Sequence, residues 1–197
     1  MMKIILSILT LTALSAAAAA EYHVDLSAKN QVKFISDAPI EDFEGVTDRI
    51  DGYVLWQGDS LREGNAYPES ELYFEVELKS LDTGIGLRNR HMRENYLETD
   101  EFPFASYKER ITEVKKSLSR GFIVVSEGNF EVHGVSKATT TVAEVTGNGK
   151  SYHVTSQFSV KLPDHQIDVP SLMFLKISEI IQLELDLYLK LAEINNK

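Results

Sequence analysis

The strongest constraint on this chain is a two-residue alternation near its C-terminus. Ile177, Ile181, Leu183, Leu185, Leu187 and Leu189 share one parity, interrupted only by Glu179, while Gln182, Glu184, Asp186, Tyr188 and Lys190 share the other. Successive side chains of a strand point to opposite faces, so the segment is a strand with one buried and one wetted face. The rule recurs for Leu72, Phe74, Val76 and Leu78 against Glu71, Tyr73, Glu75 and Glu77. It recurs again for Tyr152, Val154, Ser156, Phe158 and Val160 against His153, Thr155, Gln157 and Ser159, and for Phe130 and Val132 against Asn129, Glu131 and His133. Eight strands are expected, near 22–36, 45–57, 70–78, 103–116, 120–132, 137–146, 151–161 and 176–191. Turn signals such as Gly147-Asn148-Gly149 and Glu127-Gly128-Asn129 separate them. Short connections make the sheet antiparallel. Periodicity establishes an all-β chain and fits a sandwich as well as a closed barrel.

One segment breaks the alternation. Residues 86–99 carry good helix formers, with Leu87, His91 and Asn95, and Arg88, Met92 and Tyr96, recurring at spacings of four. A short helix near one end of the sheet is expected, either facing a ligand or merely plugging that end. Arg88, Arg90, His91 and Arg93 concentrate basic charge there. Arg88 and Arg93 are expected on a solvated face beside Glu94, Glu98 and Asp100.

Lys3, the apolar run Ile4 to Leu14 and the small residues Ala16 to Ala20 have the order of a secretory signal peptide, with removal after Ala20. The apolar run is too short for a retained membrane span. Residues 21–197 are expected to form one periplasmic domain, with no stable membrane insertion. The chain has no cysteine, so it can form no disulfide and no thiolate site. A formal net charge of −10 argues against nucleic acid as a partner. None of His23, His91, His133, His153 and His165 pairs at a metal-ligand spacing, so no metal is expected. His133 and His153 lie on the polar parity of their strands and are expected to be exposed. Were haem to bind, His91 or Met92 would be its axial ligand. There is no G-x-S-x-G elbow or phosphate loop, and the carboxylates belong to wetted strand faces, so no catalytic residue is assigned and no enzyme is expected.

Four stretches together resemble the YceI-like polyisoprenoid-binding family over nearly the whole mature chain. They are Phe43-Glu44-Gly45-Val46 through Ile50-Asp51-Gly52-Tyr53-Val54-Leu55-Trp56; Ser80-Leu81-Asp82-Thr83-Gly84 through Arg90-His91-Met92-Arg93, Tyr96-Leu97 and Phe102-Pro103-Phe104-Ala105-Ser106-Tyr107; Gly128 through Lys137; and Phe158-Ser159-Val160 through Ile167, then Ile177-Ser178-Glu179. The resemblance implies an eight-stranded antiparallel lipocalin-like barrel with the helix at about 86–99 near one mouth. It also implies an apolar cavity holding an isoprenoid-type lipid or quinone, with no other cofactor. Two departures bear on the ligand. The sequence has Leu162-Pro163-Asp164-His165-Gln166-Ile167 where the family has R-S-D-F-G-I, and hydroxyls at Thr139-Thr140-Thr141 where aliphatic residues are usual.

Strand parity turns Val32, Phe34, Val54, Trp56, Phe74, Val76, Ala105, Tyr107, Phe130, Val132, Val154, Phe158 and Leu183 inward. The ligand-binding set is assigned as Phe34, Trp56, Phe74, Leu87, His91, Met92, Tyr96, Tyr107, Phe130, Phe158 and Phe174. A hydrocarbon tail needs burial above all, at about 25 cal/mol per Å² of apolar surface, and a polar head needs one or two donors at the mouth. A carrier for such a lipid is the expected function. The alternatives are an enzyme acting on a small amphiphile, with Tyr107, Tyr152, Thr139 and Thr141 as inward polar groups, or a filled barrel with a stress-response role and no ligand. A mouth ringed with apolar groups favours a covering partner, and a homodimer would serve.

Overall fold

The computed structural model describes residues 19–37, 42–58, 60–65, 67–118, 121–172 and 175–192. Its strands are β1 (Ala19–Val24), β2 (Gln31–Ser36), β3 (Phe43–Thr47), β4 (Ile50–Gln57), β5 (Gly64–Asn65), β6 (Glu71–Glu77), β7 (Phe104–Lys116), β8 (Phe122–Val132), β9 (Val135–Gly147) and β10 (Ser151–Lys161). The two-residue strands β11 (Ser171–Leu172) and β12 (Leu175–Lys176) precede β13 (Ile180–Leu191). The helix α1 (Gly86–His91) continues into a wider turn at Met92–Tyr96. The main sheet runs β1-β4-β6-β7-β8-β9-β10-β13-β2-β3, and β13 also pairs with β1, which closes it. Counting β1 with β2 and β3 with β4 as broken single strands, this is a closed eight-stranded antiparallel barrel.

The two breaks correct the expected strands 22–36 and 45–57. Residues 25–30 leave the ladder because Asp25 Oδ1 accepts the Ser27 amide and hydroxyl, an Asx-type turn. The side chain of Asn30 mends the gap, donating to the Asp25 carbonyl and accepting the Tyr188 amide, each at 2.8 Å. At the second break, Thr47 Oγ1 accepts the Arg49 amide, and the strand turns a corner at Asp48. Glu127-Gly128-Asn129, expected as a turn, instead lies inside β8. The true turn is His133-Gly134, where both residues have positive φ (54° and 70°), the geometry of a tight hairpin. A side chain at Gly134 would also strike the Phe102 ring, which packs on His133.

The interior divides by height. In the lower half, Tyr22, Trp56, Val114, Tyr152, Leu187 and Leu189 form a filled core, with Tyr22 stacked on Trp56 at 4.6 Å. Tyr152 meets both rings edge-on. In the upper half a second cluster, including Leu78, Ala105, Phe130, Val132 and Val160, lines a wall. The wall is incompletely zipped: β9 and β10 pair only from Tyr152–Gly147 to Ser156–Ala143, while β8–β9 and β10–β13 continue to their upper ends. The buried His165, in the turn Leu162–His165, rejoins the two strands at the top by donating from Nδ1 to the Val135 carbonyl at 2.8 Å.

Because only the lower half is packed, equal truncations on β13 should have unequal effects. Leu187→Ala is expected to lower stability by about 3–5 kcal/mol, and Leu183→Ala, which borders empty space, by less than half of that. Urea unfolding of the ligand-free protein measures both, and equal losses would contradict a half-filled interior.

Candidate functional site

The four inward glycines explain how a narrow barrel carries so many large side chains. Gly45 pairs across the ladder with Phe34, Gly52 with Phe74, Gly147 with Tyr152 and Gly128 with Glu109. In each case an added Cβ would lie within 2.6 Å of the partner's side chain. At Gly45, Gly52 and Gly147 the contact is the ring, which the glycine lets lie flat over the neighbouring strand, and at Gly128 it is the Glu109 Cβ. Phe34 and Phe74 thereby fold against the wall and leave the axis open.

The open axis is a cavity of about 620 Å³ in the upper half, within the ~300–1,000 Å³ span typical of small-molecule sites. Its wall is Val32 and Phe34 of β2, Phe74 and Val76 of β6, Tyr107 of β7, Phe130 of β8, Phe158 of β10 and Ile181, Leu183 and Leu185 of β13. Leu87, Arg88, His91, Met92 and Tyr96 border it at the mouth. The helix is held there by the Ser80–Gly84 turn. Asp82 Oδ1 accepts the Gly84 amide and the Asn89 side-chain amide, and Asn89 Oδ1 accepts the Thr83 amide and hydroxyl. The Asn89 contact, with the Gly84 amide second, holds the Asp82 carboxyl below its ordinary range. Backbone bonds between Val46 and Asp82 fasten this turn to β3. On the far side, His133 Nε2 lies 2.8 Å from the Glu98 carboxylate.

Nine of the eleven assigned ligand residues therefore border one cavity: Phe34, Phe74, Leu87, His91, Met92, Tyr96, Tyr107, Phe130 and Phe158. Trp56 does not; it lies on the correct face but at the filled end, together with Val54 and with Val154 packed against that core. Phe174 lies outside the described residues, as does most of the signal segment. Arg88 and Arg93 also depart from expectation. Arg88 lies over the Phe43 ring at 4.4 Å, and Arg93 donates to the Leu81 carbonyl at 2.9 Å, so neither is a solvated helix charge. His133, expected to be exposed, is held between Phe102, Glu98 and the His165 carbonyl with its side chain only 12% exposed. His153 lies on the outer face, bonded to Asp186 at 2.7 Å.

Beneath the cavity is a polar belt. Tyr107, whose ring is part of the wall, donates to Thr141 Oγ1 at 2.9 Å; Ser126 Oγ lies 3.0 Å from the same atom, and Thr141 reaches Glu109 Oε1 at 3.5 Å. Glu109 is 8% exposed, and its Oε2 has no hydrogen-bond partner among the described residues. Burial pushes its carboxyl from 4.5 up to about 8, against the opposing hydrogen bonds of Ser126 and Thr141. Burial likewise raises the Tyr107 phenol. A carboxylate expected on a wetted face is thus inside the barrel. Its signal was present, since Ala105, Tyr107, Glu109 and Ile111 share one parity. Among the described residues, no group of three or more His, Asp or Glu could hold a metal ion, and no helix is long and apolar enough to cross a membrane.

Closed antiparallel wall, filled base and apolar upper chamber together define a lipocalin-like barrel. The YceI-like domain model matches residues 22–189, and the chain belongs to that family. A UPF0312 protein of Yersinia enterocolitica is 36% identical over 75 residues, which cover 38% of this chain and 36% of that protein. One from Yersinia pseudotuberculosis is 35% identical over the same length, so the match spans only about a third of these relatives. Among solved structures, BcnA of Burkholderia cenocepacia superposes with a TM-score of 0.66 at 14% identity, covering 84% of this chain and 98% of its own. A polyisoprenoid-binding domain from Saccharophagus degradans, implicated in plant cell wall breakdown, gives 0.62 at 17%, covering 87% and 98%. At these identities the likeness concerns the fold.

The raised carboxyl of Glu109 has a directional consequence. The native state holds this proton more tightly than the unfolded chain, so its stabilising effect is complete below about pH 4.5 and fades as the pH rises to about 8. Glu109→Gln should lack this decline. The stability difference between wild type and variant should change by a few kcal/mol between about pH 5 and about pH 9. Urea titrations at both pH values check it, and parallel profiles would refute it.

Proposed function

We propose that the protein is a carrier for an isoprenoid-type lipid or quinone, exported to the periplasm and acting without catalysis. The observation that carries this reading is the apolar chamber of about 620 Å³, which no described side chain fills, above a base that is packed solid. Burial of a hydrocarbon contributes about 0.8 kcal/mol for each methylene, so a branched tail of modest length supplies most of the affinity. The wall offers branched aliphatic and aromatic surface and little hydrogen-bonding capacity, a match to an unsaturated branched chain. The name of the Saccharophagus degradans domain supports the same ligand class for this chain. Among the described residues, none in the upper chamber sets a nucleophile beside a base, and an upper half that no described side chain fills does not suit the filled-barrel alternative.

Export rests on the order of Lys3, Ile4 to Leu14 and Ala16 to Ala20. Cleavage after Ala20 would shorten β1 by the pairs Ala19–Gln57 and Ala20–Trp56, whereas cleavage after Ala18 would keep them.

Protein recovered from the producing cell should carry a releasable isoprenoid lipid or quinone in near one-to-one amount by native mass spectrometry and solvent extraction. Leu183→Trp, which places an indole in the chamber, should lower that occupancy at least tenfold while leaving the urea transition cooperative. A clean apo mass that takes up no added isoprenoid quinone or alcohol would end the carrier reading.

A further inference from the structure

Large inward side chains opposite the inward glycines share a rule that Glu109 breaks. Three of the four are aromatic, and the fourth is a carboxyl group. At Gly128 a Cβ would come within 2.3 Å of Glu109 Cβ and 2.1 Å of the Lys108 carbonyl oxygen. The missing side chain is therefore what lets β7 and β8 approach so closely at Glu109.

Its neighbours are specific. Glu109 is the next inward residue of β7 below Tyr107, whose ring lines the cavity, and Ile111 in the filled core follows it. One inward-to-inward step along a strand is about 6.6 Å, so the carboxyl lies one layer below the cavity wall, and of the belt residues Tyr107 alone borders the cavity. On β6 it faces Leu72, on β8 Gly128 and Ser126, and on β9 Thr141. Tyr107 is the sole other titratable group in this set, and the belt contains no cation. An interior carboxyl with a bare oxygen is costly unless something hydrogen-bonds it. Ser126 and Thr141 both act on the carboxyl, Thr141 at Oε1, while Oε2 has no partner among the described residues.

We propose that Glu109, with Ser126, Thr141 and Tyr107, forms a polar subsite at the floor of the cavity that receives the hydroxyl or carbonyl oxygen of an uncharged amphiphile inserted polar end first. The proposal rests on the carrier reading and deepens it by assigning the class and orientation of the ligand. Uncharged at neutral pH, the carboxyl offers its O–H to the ligand oxygen. A hydroxyl ligand can return its own hydrogen to Ser126 or Thr141, completing the belt. A carboxylate or phosphate end has no cation to meet it there, and a pure hydrocarbon leaves Oε2 bare. Selection among chains of equal length therefore falls to the terminal oxygen.

The test offers the protein equal concentrations of geranylgeraniol and the hydrocarbon of the same chain ending in methyl. Native mass spectrometry reads the two occupancies. Wild type should favour the alcohol about tenfold, the value expected when a buried hydrogen bond is made rather than left unmade. Glu109→Leu should bind both about equally. Glu109→Gln, which retains a donor of the same shape, should keep part of the preference and guards against misfolding of the leucine variant. The infrared band of the protonated carboxyl, absent in Glu109→Gln, should shift when wild type takes up the alcohol. Equal occupancies in wild type, or an unmoved carboxyl band, would overturn the subsite and leave the belt as the seat of a trapped water only. Failure of wild type to bind either chain would instead bring down the carrier reading, and the subsite with it.

Discussion

Strand β13 has hydrogen-bonded neighbours along both edges, and the interior exists because of it. One edge meets β10 over eleven residue pairs, from Ser151–Lys190 to Lys161–Ile180. The other edge meets β1 below and β2 above. Closure satisfies backbone groups that an open sheet would expose, and a chain without cysteine has no disulfide to substitute for it. The alternation in β13 does a second thing. It places Leu187 and Leu189 in the filled base and Ile181, Leu183 and Leu185 on the chamber wall, so one strand sets both the floor and the side of the cavity.

The glycine partners translate that closure into usable volume. An eight-stranded barrel is just wide enough for its own side chains to fill it. Phe34 and Phe74 are accommodated by lying over Gly45 and Gly52, and the axis between them stays clear. At the base, Tyr152 over Gly147 joins Tyr22 and Trp56, and there the rings do meet across the axis. The same device produces a wall in one half and a plug in the other, according to what lies opposite.

Much of this was legible in the sequence, and the gaps have definite causes. Parity identifies which face of a strand a residue occupies, which is why Phe34, Phe74, Tyr107, Phe130 and Phe158 gather around one space. Parity carries no information about height along the barrel axis, and so Trp56 shares the inward face and still belongs to the plug. The strand breaks at Asp25–Asn30 and Asp48–Arg49 are set by side-chain bonds to the backbone, in which Asn30 substitutes for a ladder residue. Glu109 was legible by parity, but a charge on an apolar face reads as an interruption until its glycine partner is known. Arg88 and Arg93 were misplaced because helix spacing alone does not reveal that Phe43 and the Leu81 carbonyl stand beside them.

The Tyr22–Trp56–Tyr152 plug closes the chamber at its base, so it is a container rather than a tube. A vessel of that kind imposes sequence on its traffic. On the carrier reading, the portion of a guest that enters first through the helix end would lie against the plug, and the trailing portion would be presented at the helix side of the barrel. On that same reading, a donor or acceptor outside the molecule would handle one end of the cargo only. The orientation adopted at loading is the orientation delivered.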